Sequence, residues 1–252
     1  MAESNYKEAA YGSWRDPSKR SALAVAPHVL SWVQPKSVVD VGCGLGMWAS
    51  AFKELGVETV HGMDGPDVPL DQLMIPADDF VAIDLTRSVS VERTYDLVVS
   101  LEVGEHLPAS SAAGFVRTLT ELGPVVLFSG AVPLQRGAHH VNEQWPDYWA
   151  RLFERFGYRA VDSLRAKIWN DERVEPYYCQ NSIVYVREDV LENYPALAAA
   201  VLPKGDVPLP LVHPHYYLKR SAFMDTSLRW WGLKLRHYFF AVLRRLRIVR
   251  GA

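Results

Sequence analysis

Three side chains in the stretch LEVGEHLP, Glu102, Glu105 and His106, stand at i, i+3 and i+4. On a helical turn that spacing puts them on one side. Two carboxylates and an imidazole that converge make a divalent-metal site, for which an imidazole could equally serve as a proton acceptor. A second cluster lies in GAVPLQRGAHHVNEQWP, residues 130–146, where His139, His140, Asn142, Glu143 and Gln144 crowd together. One of its histidines would complete a metal site. Another would remove a hydroxyl proton, since imidazole titrates near neutral pH. His140 is the favoured residue for ligand or base, with His139 and Glu143 beside it, and residue type alone does not separate the roles. Mg²⁺ prefers oxygen ligands, so the histidines would also admit Mn²⁺, Co²⁺ or Zn²⁺; Mg²⁺ or Mn²⁺ is the expected cation.

These residues need a scaffold, and VVDVGCGLGMW supplies its centre. Val38, Val39 and Val41 form a β-branched run suited to a buried parallel strand. Gly42, Gly44 and Gly46 then allow a sharp turn and close approach of a ligand, and the helix from Trp48 to Leu55 offers its N-terminal N–H groups. Strand, glycine loop and helix in that order make a nucleotide-type cofactor site at the carboxyl edge of a sheet.

Further strands are expected over Glu58–Met63, Phe80–Ile83, Tyr95–Leu101, Val125–Ser129, Tyr158–Val161 and Ser182–Val186. Helices are expected over Ser21–Val33 and Asp147–Phe156. Asp64, about twenty positions beyond the glycine loop and followed by Gly65, falls where a ribose diol is held. The sequence predicts an α/β, Rossmann-like, seven-stranded and mostly parallel sheet with helices on both faces and a final antiparallel hairpin. A long connection joins the two strands of that hairpin, and its Arg165, Trp169, Glu175, Tyr177, Tyr178 and Gln180 read as a polar and aromatic wall for a hydroxylated acceptor.

The nicotinamide fingerprint needs glycine at position 47, where this chain has Met47. DxGxGxG instead resembles motif I of the class I S-adenosylmethionine (SAM) methyltransferases. That resemblance implies SAM as cofactor, with Asp40 near its amino-acid end and the glycines passing beside it. Asp84 and Leu85 would flank the adenine, and Trp48 and Leu101 complete the expected cofactor set. ExxEH resembles the metal motif of the small-RNA 2′-O-methyltransferases and the ubiquinone-pathway O-methyltransferases, in which a later residue completes the site. Metal-free class I enzymes carry similar residues after this strand. HHVNEQWPxYWxxLF resembles bacterial methyltransferases of glycan and natural-product clusters, including the sugar O-methyltransferases of mycobacterial methylmannose polysaccharide synthesis. The expected function is therefore SAM-dependent O-methylation of a sugar hydroxyl, a methylated mannoside being the acceptor in view. The alternatives are a metal-free enzyme with a histidine base, an RNA 2′-O-methyltransferase, and a non-catalytic SAM-binding protein.

A chain of 252 residues with formal net charge −2 gives no global argument for nucleic acid, and the catalytic half lacks a basic stripe. Two cysteines without a CxxC exclude a disulfide scaffold and a cysteine zinc site. MAESNYKEAAYGSW has no apolar signal region, so a cytoplasmic enzyme is expected. Residues 1–20 read as a loose terminus or a flap, 21–200 as the SAM-binding domain and 201–226, rich in Pro and His, as a linker. From Leu228 to Val249 apolar residues recur every three or four positions with arginines off the stripe. That pattern predicts a basic amphipathic helix over 227–252, for peripheral membrane contact, for self-association or for packing on its own domain.

Overall fold

Alternation within each strand decides which helices cover which face of the sheet. The computed structural model describes residues 2–87 and 93–215 together with Tyr217, Leu218, Gly232, Leu235, Arg236, Tyr238 and Phe239; for residues 2–16 it describes the backbone alone. Seven strands form one sheet: β1 (Ser37–Val41), β2 (Thr59–Asp64), β3 (Phe80–Ala82), β4 (Leu97–Leu101), β5 (Val125–Ser129), β6 (Tyr158–Val161) and β7 (Ile183–Arg187). Their order is β3-β2-β1-β4-β5-β7-β6. The first five are parallel, and β7 runs antiparallel to both β5 and β6. The predicted sheet and final hairpin are what is found, with strand ends shifted by one or two residues.

Val38, Leu97, Val99, Val125 and Leu127 point to one side, where they pack with α1 (Ala2–Val33), α2 (Met47–Glu54), α5 (Ser163–Ile168) and α6 (Pro176–Asn181). Val39, Val98, Val126 and Phe128 point to the other, against α3 (Ala112–Leu122) and α4 (Pro146–Arg155). The period of two within every strand therefore builds two apolar layers at once. Buried anchors such as Phe115, Leu119 and Phe153 stabilise the second layer by about 2 kcal/mol each. Phe153 stacks on Tyr185 of β7 at 3.9 Å between centroids, which fixes α4 over the hairpin.

Three features of the organisation add to what the sequence suggests. The helix read over Ser21–Val33 begins at Ala2, so the backbone of the segment read as a loose terminus or flap is helical. Its composition, with Ala2, Lys7, Glu8, Ala9 and Ala10, favours helix. Lys19 then bonds Ser50 at 2.8 Å and Arg20 bonds Glu175 at 3.0 Å, joining α1 to α2 and to the turn before α6. The connection between the two hairpin strands, β6 and β7, contains α5 and α6. The start of the predicted linker is also part of the domain, because Val201 bridges Val161 and Leu202 N–H donates to the Ala160 carbonyl at 2.9 Å.

The chain divides into two compact units, residues 1–211 and 212–252. In the second, Gly232, Leu235, Arg236, Tyr238 and Phe239 are helical; most of the helix expected over 227–252 lies outside the described residues. No helix among the described residues is long and apolar enough to cross a membrane.

Candidate active site

The carboxyl ends of β1 and β4 border the crevice where the strand order reverses, the usual ligand position in open α/β sheets. Gly42, Gly44 and Gly46 all have left-handed backbones, with φ of 79°, 54° and 80°. At Gly42 a Cβ would lie 2.3 Å from Val103, so the glycine turn and the segment after β4 touch there. Met63 of β2 accepts the Gly42 and Cys43 N–H groups at 2.7 and 3.2 Å. Asp64 continues this clamp: one carboxylate oxygen accepts the Gly44 N–H and the other the Gly65 N–H, each at 2.6 Å.

Asp40 is buried at the end of β1 and accepts the Ala49 N–H at 3.2 Å. Burial pushes its pKa up to about 7, the Ala49 N–H opposes the shift, and nearby Asp64 adds to it. A cationic group brought beside Asp40 would restore its charge. Asp84 is exposed, bonded to Thr86 and paired with Arg87 at 3.2 Å, and the Thr86 hydrogen bonds hold its carboxyl below the usual range. The structure places Trp48 and Leu101 in the apolar layer beneath α1, and Leu85 in the opposite layer. The Trp48 indole N–H donates to the Tyr178 hydroxyl at 3.1 Å.

The segment after β4 departs from the helical turn expected of it. Glu102 is left-handed, with φ 57°, and only Gly104–His106 form a 3-10 turn. Gly104 is required there because a Cβ would meet the Trp149 ring at 2.7 Å. The turn swings Glu105 inward. Its side chain is fully buried, and neither carboxylate oxygen has a well-formed hydrogen bond, although the Ala131 backbone and the Glu102 carboxylate approach it. Beside it the rings of His106 and His140 meet edge to face at 4.9 Å. One ligand atom from each of Glu105, His106 and His140 lies within 4.8 Å of the others.

Glu102 is not part of that three-residue set. Its carboxylate accepts the side-chain amides of Gln135 at 2.7 Å and Asn181 at 2.9 Å. Asn181 also donates to the Gln135 carbonyl oxygen at 2.9 Å, and Gln180 donates to it at 3.2 Å. This buried amide network joins β4, the loop after β5 and the end of α6. Burial raises the Glu102 pKa while the amides oppose the shift. Burial, then the neighbouring Glu102 carboxylate, raises Glu105 well above the ordinary glutamate value. The His106 side chain is exposed, yet the groups crowded around its base partly desolvate the ring, and this, with His140 next in weight, lowers its pKa to about 4.

Glu143 organises the loop between β5 and α4. One of its oxygens accepts the Leu134 N–H at 2.7 Å; the other accepts the Arg136 N–H at 2.6 Å and faces His140 Nδ1 at 2.8 Å. With a carboxylate on Nδ1, the proton belongs there and Nε2 carries the free lone pair. The Val141 and Asn142 N–H groups donate to the Glu105 carbonyl at 2.8 and 3.0 Å, pinning the loop to the turn that carries Glu105. His139 has a left-handed backbone and an exposed side chain, outside the converging set.

The expected acceptor wall is largely engaged within the protein. Arg165 is buried and bonded to Asp162 and the Gln180 carbonyl, Glu175 is held by Arg20, and Tyr178 is held by Trp48. Gln180 belongs to the amide network, whereas Trp169 and Tyr177 are half-buried. Gln135 and Asn181 were not singled out by the sequence. They are 46 positions apart, and no local pattern marks the pairing.

A β3-β2-β1-β4-β5-β7-β6 sheet with antiparallel β7 and a glycine turn after β1 defines the class of SAM-dependent methyltransferases. The chain belongs to the methyltransferase domain family, whose model matches residues 11–166. No curated protein matches the sequence significantly. Among solved structures, the fold is similar to that of Streptomyces venezuelae DesVI, with 15% identity, 72% of this chain and 96% of that chain covered, and a TM-score of 0.55. An O-methyltransferase family protein from Burkholderia thailandensis is similar at 12% identity, 72% and 59% coverage and a TM-score of 0.55. The methyltransferase domain of bacterial CtHen1-C is similar at 21% identity, 68% and 98% coverage and a TM-score of 0.50.

Proposed function

We propose that this methyltransferase transfers the SAM methyl group to a hydroxyl of a sugar, with a divalent cation held by Glu105, His106 and His140. The observation that carries the reading is Glu105, a fully buried carboxylate with no well-formed hydrogen bond, facing two imidazoles. A buried charge without a partner costs several kcal/mol, and a cation removes that penalty. One carboxylate and two imidazoles suit Mn²⁺ better than Mg²⁺. Glu143 on Nδ1 of His140 is the outer partner that such a ligand needs. A cation bound there would lower the pKa of an acceptor hydroxyl. SAM supplies the electrophilic methyl group.

The chain's own residues hold the two reactants. Asp40, the Gly42–Gly46 turn and Asp64 would bind SAM, and Val103 against Gly42 puts the Glu105 turn next to it. The loop of residues 130–145 would hold the acceptor, fixed by Glu143 and the amides on Glu102. O-Methylation is favoured by the ExxEH pattern and by the O-methyltransferase fold relative. The sugar rests on the similarity of HHVNEQWP and the following helix to glycan methyltransferases.

A second reading keeps the fold and omits the cation. His140, oriented by Glu143 at 2.8 Å, has the geometry of a general base with its positioning carboxylate. The deciding experiment is transfer of labelled methyl from SAM to free and partially methylated mannosides, with and without EDTA. Transfer abolished by EDTA and restored by Mn²⁺ supports the first reading. Transfer indifferent to EDTA selects the second. Bound SAM with no transfer to any sugar removes the sugar from both.

A further inference from the structure

Charge is divided unevenly along this chain. Residues 212–252 contain nine Lys and Arg but a single acidic residue, Asp225, whereas residues 1–211 contain eighteen basic and twenty-eight acidic residues. The near-neutral total thus conceals a unit of net +8 joined to one of net −10. The boundary coincides with the division of the fold into two compact units. Aromatic residues follow the positive charge: eight of the chain's 29 Phe, Trp and Tyr lie in those last 41 positions.

The described part of this segment displays the same pairing of properties. Leu235, Tyr238 and Phe239 are helical and 67%, 74% and 59% exposed, with Arg236 exposed among them. Leu235 and Phe239 stand four apart and so share a face. Exposed large apolar side chains beside a dense positive charge suit the surface of an anionic bilayer. There aromatic and leucine side chains enter the headgroup boundary while Arg and Lys meet lipid phosphates. Ten charged residues among 41 argue against a spanning segment.

We propose that residues 212–252 bind the surface of an anionic lipid bilayer as a peripheral anchor. The catalytic unit, with net −10, adds no attraction, so the salt-sensitive part of the affinity comes from this segment alone. The test is co-sedimentation of the full chain with vesicles of phosphatidylcholine, alone or mixed with phosphatidylglycerol. Binding to the mixed vesicles and not to the neutral ones, released by raising the salt, is the expected result. Replacing Arg244, Arg245 and Arg247 together by Gln should weaken binding on the order of a hundredfold, since each basic residue near such a surface contributes about fivefold. Leu235→Asp with Phe239→Ser should weaken it independently, and both variants should keep SAM binding by calorimetry. The proposal is overturned by equal binding to neutral and anionic vesicles, by no sedimentation with either, or by tighter binding to an RNA homopolymer than to anionic vesicles. Self-association in sedimentation velocity that the triple Arg variant abolishes would overturn it too, by assigning the segment to a second copy.

Discussion

The two halves of the crevice treat their carboxylates differently. Around the glycine turn, Asp64 accepts two backbone N–H groups and Asp40 accepts one, so this half is organised by the chain's own main chain. Across Val103, Glu105 is buried with no well-formed hydrogen bond to its oxygens, although Glu102 beside it accepts two amides. The first half is a preformed cradle whose polar groups are already paired. The second is a set of donors whose balance needs something from outside, a proton or a cation. The two halves, which meet where Val103 lies against Gly42, are thus built on opposite electrostatic principles.

The contrast breaks most directly at Glu105. Glu105→Gln preserves the shape and removes the charge, and should lower kcat about a thousandfold, roughly 4 kcal/mol of barrier. Mn²⁺ titration by calorimetry should show no binding to the variant; wild-type turnover would end the cation reading. The variant also tests linkage. A glutamate raised by burial contributes most stability to the metal-free fold below its ordinary value of 4.5, and that contribution is lost as pH rises toward its folded pKa. Thermal melts of the EDTA-treated protein should therefore fall with pH across that window, and less steeply in Glu105→Gln.

Asp40 sharpens the comparison from the cradle side. Its pKa is about 7 against an ordinary 3.8, so without cofactor its contribution is full below about pH 4 and is lost as pH climbs to 7. The loss is about 4 kcal/mol. Asp40→Asn should flatten that slope and raise the melting temperature at pH 8, while weakening SAM binding. A pH profile unchanged by the substitution would mean that Asp40 is already ionised in the fold.

Smaller effects belong to the loop. Glu143→Ala deprives His140 of its Nδ1 partner and should weaken Mn²⁺ binding about 10- to 100-fold, read by calorimetry. Gly137→Ala would set a Cβ 2.1 Å from His140 Nε2, so the imidazole must move. A loss of about tenfold in kcat/KM is expected, since displacement by about 1 Å costs up to a hundredfold. Were Gly137→Ala silent, the position of His140 would not matter to the reaction.

Much of the scaffold was legible in the residues. Alternation in VVDV, LVVSL and VVLFS assigned the strands because sheet geometry has a fixed period, and the glycine turn was legible because only glycine tolerates those backbone angles. Glu105, His106 and His140 were also found as candidates, because their residue types announce metal or proton chemistry. Trp48, Leu85 and Leu101 were assigned to the cofactor and lie in apolar layers.

What the sequence by itself determined is the succession of strands along the chain, the cofactor-type turn and the short list of groups able to do chemistry, all fixed by local periodicity and residue type. Only the tertiary structure decided how those groups divide. The left-handed backbone at Glu102 removes it from the helical phase of Glu105 and His106. Gln135 and Asn181, distant in sequence, then take its carboxylate, and packing buries Glu105 without a well-formed hydrogen bond. The cause is physical: which polar group is paired depends on long-range contacts and burial, and neither is written in the neighbourhood of the residue concerned.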